Sequence, residues 1–332
     1  MARLIQYVNE ADPQRVLLLG GPKTGKTALA SVLAARFKVL MLDLENGKSV
    51  MLNHCTPEQL ANIEYVKIPD TYSNPCAVRT LLSLFVDNAN KVNYICNLHG
   101  SLNCALCRAK KDDPDACVTI DLREWTADKD AVILIDSATQ FAISTLHNLC
   151  NVNNIKRENA TTDDKVSYTL WDGQGATLDK LFSTLQNGPW HICCTAHEME
   201  VEMPDKTKKL VAAVGTRKYA ANFGKYFDSV IRVAKRNKKH VIESLTSSSL
   251  NADTGGRRSI DLAKAGNSLI DYFVPASEVR DKMEKLDISK VPSQLPKTPK
   301  PVAQGTSTPG ASTVTTPAPA GNPLAAFMGK KS

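Results

Sequence analysis

The sequence predicts an α/β fold: a mainly parallel sheet flanked by helices, with a C-terminal β-hairpin extension and a small Cys/His insertion. Three observations carry this. Short apolar runs of buried-strand length alternate with segments of helical periodicity through residues 1–290. The pattern G-x-x-x-x-G-K-[ST] stands where the first such run meets the first such helix, as GGPKTGKT from Gly20 to Thr27. Two later apolar runs end in acids.

The first strand is read at Val16–Leu19 and the first helix at Lys26–Phe37, whose good helix formers have apolar positions at helical spacing. Between them, Gly20, Gly21, Pro22, Lys23, Thr24, Gly25, Lys26, Thr27 and Ala28 form a P-loop running into a helix N-terminus. There backbone N–H groups point at phosphate oxygens. Lys26 is expected to reach the β- and γ-phosphates of ATP, and the Thr27 hydroxyl to ligate Mg²⁺. Further strands are read at Val39–Leu42, Ala131–Ile135 and His191–Thr195. Further helices are read at Cys76–Asn88, Thr139–Cys150 and Gln174–Gln186. Phe227–Ala234 and His240–Leu245, split by the basic turn Lys235–Lys239, read as a β-hairpin.

The strand ends supply the rest of an ATPase site. Ala131-Val-Ile-Leu-Ile-Asp136 has the form of a Walker B element, in which the carboxylate holds Mg²⁺. The bland alternative is an acid capping the next helix. Val39-Leu-Met-Leu-Asp-Leu-Glu45 ends in two acids. Glu45 is placed to polarise a water for in-line attack on the γ-phosphate, and Asp43 reads as a supporting group or a ribose contact. His191-Ile-Cys-Cys-Thr-Ala-His-Glu198 brings polar groups to the edge of the sheet where α/β proteins bind ligands. His197 or Glu198 there would sense the γ-phosphate; a helix cap or surface pair is the alternative.

The order P-loop, Asp43-Leu-Glu45, Ile135-Asp-Ser137, Thr195-Ala-His197 resembles that of RecA-like ATPases. The resemblance places the catalytic base at Glu45 and the phosphate sensor at His197, where the family more often has Gln. Asp43–Gly47 (DLENG), Ile135–Gln140 (IDSATQ), Thr195–Glu198 (TAHE) and Tyr226–Val230 look similar to phage-encoded RecA-like ATPases of the Sak single-strand-annealing type, over roughly residues 14–260. The resemblance implies an ATP-dependent protein working on single-stranded DNA in phage recombination or replication, by annealing or strand exchange. A RecA-type helicase or loader motor, and a nucleotide-gated DNA clamp with negligible turnover, are the competing readings.

Within residues 91–122, Cys96-x-x-His99 precedes Cys104-x-x-Cys107, with Cys117 beyond. Two such knuckles suit tetrahedral Zn²⁺ in a structural role, with Cys117 the substitute for His99; loose reduced thiols are the alternative. Lys91–Ile95 and Val118–Leu122 read as strands bracketing the site. Cys193 and Cys194 read as core.

Single-strand binding needs cations along the backbone and aromatics for stacking. The segment Asp205–Lys209, with Lys208 and Lys209, followed by Gly215-Thr-Arg-Lys-Tyr219, with Arg217 and Lys218, carries both directly after the sensor strand. Arg217 or Lys218 would alternatively reach a neighbouring subunit's nucleotide as an arginine finger, which requires a homo-oligomer. A solvated basic loop is the bland reading of this segment. The Lys235–Lys239 turn and Arg257-Arg258 carry the same ambiguity.

The formal charge is +7. Residues 291–332 hold Lys297, Lys300, Lys330 and Lys331 and no acid, so the rest is near balance and any nucleic-acid surface is a local patch. From Val291 to Pro323 the composition turns to Pro, Thr, Ser, Ala and Gly, which cannot bury enough apolar surface to order. A disordered tail is expected there. It ends in Asn322-Pro-Leu-Ala-Ala-Phe-Met-Gly-Lys-Lys331, which reads either as a docking motif for a single-strand-binding protein or as a solvated terminus. No apolar run is long enough to span a membrane, and the first residues lack a signal-peptide apolar region. An odd count of nine cysteines fits reduced thiols or metal ligands. A cytoplasmic location is expected, that of the host cell if the protein is phage-encoded.

Overall fold

The computed structural model describes residues 12–156, 164–203, 206–237, 239–244, 254–258, 260–264, 266–275 and 277–279. The chain divides into units Met1–Asp287 and Ile288–Ser332. The expected disordered tail and its terminal docking motif lie outside the described residues.

The elements follow in chain order. They are β1 (Arg15–Leu19), α1 (Lys26–Ala30), β2 (Lys38–Asp43), α2 (Lys48–His54), α3 (Pro57–Ala61), β3 (Ile63–Lys67), α4 (Cys76–Leu82), β4 (Val92–Cys96), β5 (Cys117–Asp121) and β6 (Ala131–Asp136). Then come α5 (Ala138–Val152), α6 (Asp164–Asn187), β7 (His191–Ala196), β8 (Glu198–Glu202), β9 (Lys208–Ala212), α7 (Arg217–Ala220), β10 (Ser229–Arg236), β11 (Lys239–Glu243) and the two-residue β12 (Gly255–Gly256). The main sheet runs β11-β10-β1-β7-β6-β2-β3, with β12 beside β10. Its neighbours from β10 to β3 are all parallel; β11 and β12 join β10 antiparallel. This is the α/β, RecA-like P-loop fold with the expected terminal hairpin.

The central strands are apolar throughout because both faces are covered. Every residue of β6 and β7 is buried. One face packs Leu17, Leu40, Ile133 and Ile192 against Phe85, Phe141 and Phe182. The other packs Val16, Leu18, Met41 and Leu134 against Leu33, Phe37 and Phe273. Each such side chain contributes roughly 1.5–3 kcal/mol by leaving water.

Several elements differ from the sequence reading, each for a local reason. The first helix is α-helical only to Ala30 and tightens to 3₁₀ over Ser31–Ala35. The Ser31 hydroxyl donates to the Ala28 carbonyl, competing with the helical ladder. The fourth helix passes into a π-turn at Ser83–Asp87. α6 begins ten residues before Gln174, because Gly173 and Gly175 hide the helical pattern that packing on α5 overrides. β3 is an edge strand whose Glu64 and Lys67 break the apolar run, so the sequence carries no strand signal there. β8 and β9 alternate polar and apolar residues and pair as a separate antiparallel hairpin. β4 and β5 also pair separately, as the two strands expected to bracket the cysteines.

Candidate nucleotide site and cysteine cluster

The parallel register decides which side chains meet. Leu19 lies beside Ala196, and Asp43 beside Asp136, so the ends of β1, β7, β6 and β2 form one edge. Loop backbone then ties the edge together. Gly20 N–H donates to Ala196 O, Glu198 N–H to Gly20 O and Leu44 N–H to Asp136 O.

The P-loop wraps this edge. Lys26 is buried, and its ammonium donates to the carbonyls of Gly20 and Gly21, both at 2.9 Å. Burial pulls its pKa down, while the carboxylates of Glu45, Asp136 and Glu198 pull the other way. Gly25 has φ 97°, and a Cβ there would stand 3.2 Å from the His240 ring. His240 Nδ1 lies 2.7 Å from the Thr24 carbonyl, so the β10–β11 hairpin roofs the loop.

Asp136 is 3% exposed and has both oxygens engaged. Thr27 donates to Oδ2 at 3.0 Å and Thr195 donates to Oδ1. Burial raises the Asp136 pKa, with the Glu45 and Asp43 carboxylates adding to it and the two threonine hydroxyls opposing it. Hydroxyl and carboxylate together are the all-oxygen pair that suits Mg²⁺. Bound there, the ion would neutralise phosphate charge.

Glu45 stands across the pocket. Ser137 donates to its Oε1, and His197 Nε2 lies 3.3 Å from its Oε2. The structure thus brings together Lys26, Thr27, Glu45, Asp136 and His197. His197 follows β7 directly, and its backbone N–H donates to the Thr139 hydroxyl at 2.9 Å. A cavity of about 780 Å³ opens over the P-loop, Glu45–Gly47, Asp136 and His197. Its apolar wall comes from Leu29, Val32, Val50, Val233 and Ile242.

Other expectations change. Asp43 is 1% exposed and accepts from the Tyr65 hydroxyl (2.8 Å) and the Glu45 N–H (3.0 Å). It fixes the backbone of Glu45 and is too enclosed to meet a ribose. Glu198 is committed to Arg232 at 2.7 and 3.2 Å, and Arg232 also binds Glu243. Arg258 is spent on the carbonyls of Asp271 and Val274, and Arg257 pairs with Asp228.

The four DNA candidates lie outside the nucleotide cavity. Lys208 and Lys209 open strand β9 instead of sitting in a loop, because the β8–β9 ladder claims them. Lys208 pairs with Glu200 at 2.7 Å. Arg217 and Lys218 are exposed in the first turn of α7, which Thr216 caps. Pro204 and Asp205 lie outside the described residues.

In the insertion, His99 Nδ1 lies 3.4 Å from Cys96 Sγ and 3.5 Å from both Cys104 Sγ and Cys107 Sγ. Cys117 is buried and pairs with Cys96 across the β4–β5 ladder. Cys193 and Cys194 are fully buried in β7, as expected of core residues.

Sequence reasoning missed Thr195, Tyr65, Thr139, Arg232 and His240. Thr195 and Thr139 lie inside the TAHE and IDSATQ segments without a role assigned to them there; Tyr65, Arg232 and His240 belong to no motif. No helix among the described residues is long and apolar enough to cross a membrane.

No curated protein matches the chain detectably. A family model described as "AAA domain" (AAA_24) matches residues 12–265, which span β1, the P-loop, both acid-ending strands and the hairpin. With that match over most of its length, and with Lys26 of the P-loop, Asp136 and Glu45 brought together on one sheet edge, the chain belongs to the AAA domain family of P-loop NTPases.

Proposed function

We propose that the protein binds and hydrolyses ATP and couples this to single-stranded DNA, as a homo-oligomer promoting annealing or strand exchange in phage recombination or replication. The observation that carries this reading is the Glu45–His197 contact. One partner faces the P-loop, and the other is the last residue before the β8–β9 hairpin.

In this reading Lys26 leaves the Gly20 and Gly21 carbonyls for phosphate oxygens. Glu45 accepts a proton from the attacking water, held in place by Ser137 and by Asp43 through its own backbone N–H. Thr27 and Asp136 would hold Mg²⁺. His197 moves between Glu45 and the γ-phosphate. Because β8 follows it without a spacer, that movement biases the hairpin bearing Lys208 and Lys209 and the following turn bearing Arg217 and Lys218. The tail motif, Asn322–Lys331, would recruit a single-strand-binding protein.

The test is ATP turnover with and without single-stranded DNA, beside Lys26→Ala and Glu45→Ala. DNA-stimulated turnover that both variants lose supports the reading. Turnover indifferent to DNA sinks the recombination role, and turnover unchanged in Glu45→Ala removes Glu45 as base and favours a clamp or another P-loop switch.

A further inference from the structure

From Asn97 to Ala116, between β4 and β5, no side chain is buried, and Leu98 and Leu106 are 77% and 85% exposed. A stretch of this length without an apolar core cannot offset its own ordering entropy. Yet it has a defined course. Asn97–Gly100 forms a turn closed by the Gly100 N–H on the Cys96 carbonyl at 2.7 Å, with Gly100 at φ 64°. A second turn is closed by the Cys107 N–H on the Cys104 carbonyl at 3.1 Å. The two turns bring three thiols to one imidazole nitrogen.

We propose that Cys96, Cys104, Cys107 and His99, through its Nδ1, bind one structural Zn²⁺ that replaces the missing core of this insertion. Tetrahedral zinc with Zn–S near 2.3 Å and Zn–N near 2.0–2.1 Å sets S···N edges of about 3.6 Å and S···S edges of about 3.8 Å. The three S···N separations of 3.4, 3.5 and 3.5 Å match that edge. The Cys96–Cys107 separation of 3.1 Å is closer to it than to a disulfide bond of about 2.05 Å. The His99 N–H also points at Cys96 Sγ at 3.4 Å, the contact a thiolate ligand accepts from its own turn. Four protein donors close the site, so its role is structural.

His99, whose Nδ1 faces all three thiols, is the fourth ligand of the proposed set, and Cys117, whose thiol contacts Cys96, lies outside it. Cys117 sits across the ladder from Cys96 as a buried neighbour. The zinc turn is moored to the ATPase core at two carbonyls. The Cys76 thiol donates to His99 O at 2.9 Å and the Thr80 hydroxyl donates to Gly100 O, both from α4. A Cβ on Gly100 would stand 2.7 Å from Pro69 Cδ, so the turn also seats directly behind β3. The metal therefore orders the insertion and fixes it against α4, and ATP binding does not depend on it.

The full-length protein, purified under reducing conditions from zinc-supplemented medium, is expected to carry one zinc per chain by elemental mass spectrometry. Cobalt substitution is expected to give the visible spectrum of a tetrahedral three-sulfur, one-nitrogen site. Cys104→Ser, Cys107→Ser and His99→Ala lose the metal, while Cys117→Ser keeps it. Chelation makes wild-type protein cleavable by trypsin at Arg108, Lys110 and Lys111 while nucleotide binding persists. Wild-type protein with no zinc overturns the proposal, as does a thiol count two short that marks a disulfide. Zinc lost in Cys117→Ser but kept in His99→Ala overturns the ligand set. Where a variant fails to fold, metal content and cobalt spectrum of the wild type still decide.

Discussion

Replacing Gly47 by alanine displaces the Asp136 carboxylate without mutating it. Gly47 opens α2 with φ −73° and ψ −5°, a backbone alanine adopts freely. Its added Cβ would stand 2.7 Å from Asp136 Oδ2, 3.0 Å from Met41 Cε and 3.3 Å from Thr27 Cγ2, where ordinary contact begins at 3.4 Å. The carboxylate must retreat by about 0.7 Å, the difference between contact and 2.7 Å. It cannot swing aside at no cost, because Thr27 and Thr195 hold its two oxygens. A misplacement near 1 Å costs a catalytic constellation about 10²-fold, or roughly 2.7 kcal/mol on the barrier. Gly47→Ala is therefore expected to lower kcat for ATP about 10²-fold, with nucleotide affinity held by the P-loop. Steady-state hydrolysis and fluorescent-nucleotide titration read the two quantities. Gly175→Ala is the control. It lies mid-α6 with its nearest contact, Tyr219, at 4.0 Å, so turnover is unchanged and stability rises by about 0.5–1 kcal/mol. A Gly47→Ala protein that is folded and turns over within about threefold of wild type, less than ~1 kcal/mol on the barrier, would refute the reasoning.

Glu45→Gln is expected to cut turnover by about 10²–10⁴-fold while leaving ATP affinity intact; equal losses in both would mean that Glu45 binds and does not catalyse. His191 gives a pH dependence. Its Nδ1 accepts the Gln14 N–H at 3.0 Å, and burial, followed by the Arg258 and Arg15 charges, lowers its pKa to about 4. The unfolded chain protonates near pH 6.5, so it binds more protons below that value, and stability falls as pH drops from about 6.5 to about 4. The loss is about 2 kcal/mol between roughly pH 7 and pH 5; His191→Gln, compared by urea unfolding at both values, should flatten the profile, and an unchanged slope would clear His191 of it. Arg232→Met strands Glu198 at the hairpin junction, while Glu243 keeps Arg236 at 3.0 Å, for a loss of roughly 3 kcal/mol. Thermal unfolding checks that figure, and a shift of only a degree or two contradicts it.

The ATPase site was legible because its signals are local. Gly20–Thr27 needs a fixed spacing to cradle phosphate, and Asp136 ends, and Glu45 closely follows, a short apolar run of buried-strand length. The grouping of Cys96, His99 and Cys107 was legible for the same reason: their short spacing is written along the chain. What the sequence left open was which ends of which strands become neighbours. The register that sets Asp43 beside Asp136 turned Asp43 from a possible ribose contact into the group that holds Glu45. β3 was hidden because an edge strand carries charge, yet it supplies Tyr65 to that same carboxylate.

The sequence by itself determined that the chain is a P-loop protein of alternating strands and helices, because phosphate binding and sheet burial leave short, regular patterns. Only the tertiary structure decided the partners of the candidate catalytic groups. Thr195 on Asp136, Ser137 and His197 on Glu45, Arg232 between two glutamates and His240 over the P-loop lie up to hundreds of residues apart in the chain. It likewise set His99 Nδ1 against three thiols that the chain spaces between Cys96 and Cys107, a convergence that only packing shows. Such pairs leave no periodicity, because a hydrogen bond across a sheet constrains two positions and nothing between them.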